Sequence, residues 1–327
     1  MTLFYSIVHK WNFGTLMLAT LALCSACSED SLPAEGQAPI GFGMNDTRAV
    51  INQVIDIQAF SVWARFSNSQ TPEMTLMDGE VVYRDPEDTN FPKRFTYDHT
   101  KYWIDGTYDF YAIHPSTESS AYDFITLDNE DQTLTISGFD SSSQTDLAVV
   151  TDRVRRVYPS EGTGDVEFSL RHVLTQVKVT LLKDEGNESD VIEVTSIQLS
   201  GMKAKGTYTA QITSDTGGWS SLDETYTWRQ TLSDNNTLQT TGGLVSTALL
   251  IPQTPENLTL TVNFQITHGS AEPQPSVKSV NLPVATWQEN AIVNYRCTLG
   301  VDYNITLGSV TITPWGNKEA GGTVIIK

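Results

Sequence analysis

The sequence predicts an all-β protein, with two β-sandwiches in tandem behind an N-terminal export segment. Three observations carry that reading. Apolar residues alternate with polar ones at period two, and long runs at helical period do not occur. Threonine makes up about one residue in eight and charged residues only 18%, and branched, uncharged side chains suit a pleated surface. Clusters of Gly, Asn, Asp and Ser punctuate the alternating runs, as at 184–190, 213–221 and 234–243.

Taken from the N-terminus, residues 1–26 read as a lipoprotein signal peptide. His9 and Lys10 give a weakly basic start, and the apolar run from Phe13 to Leu23 is about 11 residues, too short to span a bilayer. It ends in Cys24-Ser25-Ala26-Cys27, which is similar to a bacterial lipobox except that Cys24 stands where Leu is usual. Cys27 is then the acylated first residue, anchored firmly by several acyl chains. The alternative is an ordinary signal peptide cut after Ala26, leaving a soluble protein. Residues 27–37 form an acidic tether. Its Ser28-Glu29-Asp30 is similar to the surface-export signal of Bacteroidales-type lipoproteins, or else is a plain hydrated linker.

The first sandwich is expected over 38–163. Ile40, Phe42 and Met44 alternate with Gly41 and Gly43, so one strand can bury three side chains on one face. Further strands are expected at 55–65, 80–84, 107–113, 133–137 and 146–150. A loop at Tyr158–Gly164, with one Pro and two Gly, marks the boundary. The second sandwich is expected over 164–327, with strands at 166–172, 176–182, 193–200, 206–212, 258–266, 291–300, 308–313 and 323–326. Leu258, Leu260, Val262, Phe264 and Ile266 give the cleanest alternation, that of a half-buried antiparallel strand. Phe168 and Leu170 differ in parity from Val177 and Val179, and a bulge near 173–176 would reconcile them.

The charge pattern excludes whole classes of function. With 39 acidic and 20 basic side chains the net charge is −19, which argues against nucleic-acid binding. The five histidines are scattered and no C-x-x-C occurs beyond Cys24–Cys27 of the export segment, so neither a metal nor any other cofactor is expected. With Cys24 removed and Cys27 acylated, Cys297 is left alone in an alternating strand and reads as a small buried hydrophobe. The acidic runs Asp85–Asp88 and Asp128–Asp131 lie among turn residues and read as solvated loops rather than calcium or glycosidase sites. His172 shares a face with Phe168 and Leu170, as a core or edge histidine does. Trp103, Trp287 and Trp315 read as core, and Trp219 and Trp228 as surface packing or, alternatively, sugar-stacking platforms. No convergent acid, base and nucleophile set is visible, so no enzyme is expected.

A series of motifs runs in order along the chain: the lipoprotein head, Ile40–Met44 followed by Thr47-Arg48-Ala49, and Trp103-Ile104-Asp105-Gly106-Thr107-Tyr108-Asp109-Phe110-Tyr111-Ala112. Then come Asp146-Leu147, Phe168 with His172–Val179, Leu250-Ile251-Pro252-Gln253, Trp287 with Tyr295, and Ile312-Thr313-Pro314-Trp315. In this order they resemble the motifs of the fimbrillin family of Bacteroidales-type pili. Gln176, where Lys or Arg is usual, and Asn290, where Gly is common, depart from the pattern.

The resemblance implies two transthyretin-like sandwiches and a fimbrial subunit carried to the outer membrane as a lipoprotein. It implies cleavage by an arginine-specific protease, loss of the first strand, and filling of the groove by a strand of another fimbrial subunit. On this sequence the cut falls between Arg48 and Ala49, unless Arg48 is only a solvated loop residue. The candidate donor strand is Val324, Ile325 and Ile326, unless these pair within their own sheet. A host or bacterial surface ligand is a further partner class. The competing reading is a lipid-anchored glycan-binding module.

Overall fold

Among the residues described by the computed structural model (37–44, 57–87, 93–128, 130–150, 153–187, 189–214, 216–234, 236–315 and 324–326), twenty strands form three sheets. In the first half they are β1 (Phe42–Met44), β2 (Ala59–Ser67), β3 (Met74–Arg84), β4 (Lys93–Thr96), β5 (Gly106–His114), β6 (Phe124–Asp128), β7 (Thr133–Asp140), β8 (Ala148–Val150) and β9 (Val154–Tyr158). There follow β10 (Val166–Phe168), β11 (Leu170–His172), β12 (Thr175–Lys183), β13 (Asp190–Gln211), β14 (Thr216–Thr231) and β15 (Leu244–Leu250). The last are β16 (Thr259–His268), β17 (Gln274–Asn281), β18 (Ala291–Leu299), β19 (Ile305–Pro314) and β20 (Val324–Ile326). The all-β expectation holds.

The nine-stranded sheet runs β10-β1-β4-β3-β2-β5-β8-β11, with β9 also paired to β5. Its two ends, β10 and β11, are separated in sequence by Ser169 alone. The sheet therefore wraps round until one stretch of chain serves both ends. Inside it lie Phe42, Phe60, Phe66, Trp103, Tyr108 and Phe110 with Phe168. The five-stranded sheet (β15-β12-β18-β19-β20) faces the β16 half of the six-stranded sheet (β17-β16-β13-β7-β6, with β14 on β13). Val177, Val179, Val293 and Tyr295 from one meet Ile197, Leu199, Val262 and Phe264 from the other.

The sheets do not separate at 163. Strands β10 and β11, beyond the expected boundary, belong to the nine-stranded sheet, while β6 and β7, before it, reach β13. A third core fills the space between, with Trp63, Tyr111 and Ile113 against Ile136, Phe139, Tyr208 and Trp315. This explains why β5 reads as an almost unbroken apolar run. Tyr108, Phe110 and Ala112 enter the first core, and Tyr111 and Ile113 the third, so both faces are covered. The described residues all fall within one compact unit, Gly36–Lys327.

The parity change near 173–176 also has a different cause from the expected bulge. Leu170–His172 pairs with β8, and Thr175–Lys183 pairs with β15 and β18. The chain changes sheets at Val173 and Leu174, both buried in the third core. A true bulge occurs at Gly201 in β13, where φ is +95° and a Cβ would stand 2.3 Å from the Asn257 carbonyl oxygen.

Candidate functional site

The first strand is inserted between two others. β1 pairs parallel with β10 (Phe42 beside Val166, Met44 beside Phe168) and antiparallel with β4 (Phe42 opposite Phe95). Flanking backbone bonds extend the seat: Ile40 N–H donates to the Lys101 carbonyl at 2.8 Å and Trp103 N–H to the Ala38 carbonyl at 3.0 Å. On the other side Val166 N–H donates to the Gly41 carbonyl at 2.8 Å. The Tyr97 hydroxyl donates to the Ile40 carbonyl at 3.0 Å, and burial pushes its pKa up to about 12. Backbone hydrogen bonds at Ala38, Ile40 and Gly41 thus tie the chain down ahead of β1, which itself has only three residues.

Side chains plug the core below. Ile40, Phe42 and Met44 are all buried, as their alternation predicted. The Phe42 ring lies 5.4 Å from Tyr97 and 5.9 Å from each of Phe110 and Phe168. Each such side chain contributes roughly 1.5–3 kcal/mol by burial. Beside β1 a cavity of about 280 Å³ opens between Ile40, Phe42, Arg94, Phe95, Tyr97 and Asp165.

The outer face is polar and was not anticipated. Asp165, just before β10, and Glu167 within it alternate with Val166 and Phe168, so burying the apolar pair turns both carboxylates outward. Arg94 of β4 reaches Asp165, with Nε 3.2 Å from Oδ2. Burial, and then the charge of Asp165, push the Glu167 carboxyl above its ordinary pKa, and Arg156 opposes them. Its Oε2 is buried without a hydrogen-bond partner. The alternation Asp165-Val166-Glu167-Phe168 was the available signal, but nothing in sequence joined it to residues 40–44.

The other candidates fall as follows. Cys27, Arg48 and Ala49 lie outside the described residues. The backbone of Val324, Ile325 and Ile326 forms β20, antiparallel to β19, with Ile326 beside Val310 and Val324 beside Ile312. His172 is buried in the core, its ring stacked on Trp315 at 3.6 Å and its Nδ1 2.6 Å from Asp146 Oδ2, off the hydrogen-bonding direction. Cys297 is buried, and its thiol is pushed up to about 12.

The sugar-stacking reading loses its platforms. Trp228 is buried, and Trp219 packs on Phe139 and Tyr208 while its indole N–H donates to the Val173 carbonyl at 2.8 Å. Asp85 and Asp128 accept backbone N–H groups of their own turns, at 2.8–3.0 Å. Among the described residues, no group of three or more His, Cys, Asp or Glu is placed to hold a metal ion.

A sequence model described as fimbrillin-like matches residues 47–315, most of the chain. The chain belongs to the fimbrillin-like family. Both terminal strands, β1 and β20, lie outside the matched stretch. Among solved structures, a fimbrial protein from Bacteroides vulgatus superposes with a TM-score of 0.60 at 19% identity, covering 86% of this chain and 100% of that one. A candidate cell adhesion protein from Bacteroides ovatus gives 0.53 at 13% identity, over 86% and 99%. Another from Bacteroides uniformis gives 0.51 at 14%, over 87% and 100%. These likenesses establish a shared fold. No curated protein sequence matches the chain. Membership makes it a protein of the cell-surface fimbrial class.

Proposed function

We propose that this fimbrillin-like chain is a fimbrial subunit that exchanges its first strand. It reaches the outer membrane held by lipid on Cys27. An arginine-specific protease then cuts between Arg48 and Ala49, in the polar segment that follows β1 in sequence. With the chain cut, β1 leaves, and a strand from another fimbrial subunit takes its place.

The observation that carries this reading is the seat of β1. It bridges two strands by backbone pairing and fills the core with three side chains. Its departure leaves unpaired edges on β4 and β10 above an apolar groove, which an incoming strand can satisfy by β-augmentation. Pairing of β20 with β19 favours a subunit that receives a strand at the tip or anchor of the fimbrium, rather than a stalk unit that also donates one.

The test is limited digestion of the mature protein with an arginine-specific protease, followed by mass analysis and sizing. A single cut after Arg48 with release of the β1 segment supports strand exchange, and oligomer ladders after the cut would make it a stalk unit. Resistance at Arg48, or retention of β1 under excess competing strand, overturns the proposal.

A further inference from the structure

The outer face of β1 is covered as well as its inner face. Glycines occupy both outward positions, and each has a carboxylate lying on it. A Cβ at Gly41 would stand 2.2 Å from Asp165 Oδ1 and 3.0 Å from its carboxyl carbon. A Cβ at Gly43 would stand 2.4 Å from Glu167 Oε1 and 2.7 Å from the carboxyl carbon. As placed, each carboxylate occupies the space a methyl group would need. Arg94 sits opposite Gly43 on β4, and Asp165 lies on the β10 side, so their 3.2 Å ion pair joins the two strands that flank β1. Strands flanking a third are about 9–10 Å apart, so this contact must pass over the β1 backbone. β1 therefore runs under a polar strap made by Arg94, Asp165 and Glu167.

We infer that this strap reads the strand in the groove, admitting one with glycine at both outward positions and apolar residues at the three inward ones. The inference rests on the strand-exchange reading above and names the partner it requires. That partner is a fimbrial subunit whose donor segment alternates apolar residues with glycine. The C-terminal strand of a second copy of this chain does not supply it. In Thr323-Val324-Ile325-Ile326 either parity turns β-branched side chains outward, against Asp165 and Glu167. The two positions differ in strictness. Glu167 is long and can swing aside, whereas the Asp165 side chain is short and tied to Arg94. Position 41 is the tighter filter.

The test uses the full mature chain after cutting at Arg48, with dye-labelled peptides as competitors for the groove. The probes are a peptide of residues 37–46, the same peptide carrying Gly41→Val or Gly43→Val, and a peptide of residues 318–327. Uptake of the unsubstituted peptide is expected. The Gly41→Val peptide should bind on the order of tenfold more weakly or worse, as overpacking dictates. The 318–327 peptide should not compete. In a protein carrying Asp165→Ala and Glu167→Ala the difference between peptides should vanish.

Equal uptake of substituted and unsubstituted peptides by the unaltered protein overturns the strap and leaves strand exchange standing. Failure of the 37–46 peptide itself to enter overturns both. A readout independent of cutting is the uncut chain with Gly41→Val. Its melting midpoint should fall and should recover when Asp165→Ala is added. An unchanged midpoint, or a fall without recovery, refutes the strap.

Discussion

Truncating Phe42 to alanine in the uncut chain tests whether β1 is a locally removable plug. Phe42 is fully buried against three rings. Phe-to-Ala changes at such sites cost about 3–5 kcal/mol. In a protein of about 5–15 kcal/mol total stability that is a large share. The structure says where the loss should appear. If β1 can detach while the rest of the sheet stands, the cost is spent on opening the groove, not on unfolding the chain. Hydrogen exchange at the Val166 amide, which donates to the Gly41 carbonyl, should then accelerate by roughly 100-fold or more. Amides of β16, in the core between the five- and six-stranded sheets, should keep their protection. The decisive measurement is residue-resolved exchange on Phe42→Ala and the parent chain. Acceleration of less than tenfold at Val166, or equal acceleration at Val262 in β16, would refute a locally held plug.

Other expectations follow from single groups. Arg48→Lys should leave the chain whole under an arginine-specific protease while the parent loses its N-terminal segment, as read by mass. The Asp190 carboxyl is held below its ordinary pKa, first by the Tyr303 hydroxyl at 2.6 Å and then by His268 at 2.9 Å. A depressed folded pKa gives stability that is complete above the unfolded value of about 3.9 and is lost as pH falls through the folded one. Denaturation midpoints taken between pH 5 and pH 2 should therefore fall more steeply for the parent than for Asp190→Asn, and parallel curves would contradict the assignment. Burial pushes the Cys297 thiol up to about 12, so alkylation at pH 8 should be negligible in the folded protein and complete in denaturant. Rapid labelling without denaturant would mean the strand β18 opens readily.

The legible parts of the fold were those where one face is buried and the other wet. Leu258–Ile266 alternated cleanly because β16 has one buried face, whereas Ile40, Phe42 and Met44 were legible because the two positions between them are glycines, which add no side chain to blur the alternation. Strand β14 was not. It borders β13 along its length with most of its side chains in solvent, so Gly217, Gly218 and the polar residues after them read as a loop. Strand β17 is another exposed edge, with no fully buried side chain to betray it. The division at 163 failed as a sheet boundary because sequence reports turns, not pairing. Tyr158–Gly164 does turn, but the chain then returns to the first sheet before it leaves at Val173. The polar strap was illegible for the same reason, since Gly41 and Asp165 meet only through a parallel pairing that closes the sheet.

Strand β1 combines a weak backbone with strong anchors, and that combination bears on exchange. Glycine loses more conformational freedom on ordering than any other residue and has low strand propensity. With Gly41 and Gly43 in place, the segment has little intrinsic tendency to be a strand. It is held by the burial of Ile40, Phe42 and Met44 and by its flanking hydrogen bonds. A substitute with the same three anchors and valine or threonine at the outward positions would have the better propensity and, on an open sheet, would win the groove. Asp165 and Glu167 remove that advantage by occupying the space such side chains need. The weakness of β1 is thus confined to a form that few other segments can exploit. A strand so held stays in place while the covalent link to the chain persists, because its local concentration is high, and becomes replaceable once that link is cut.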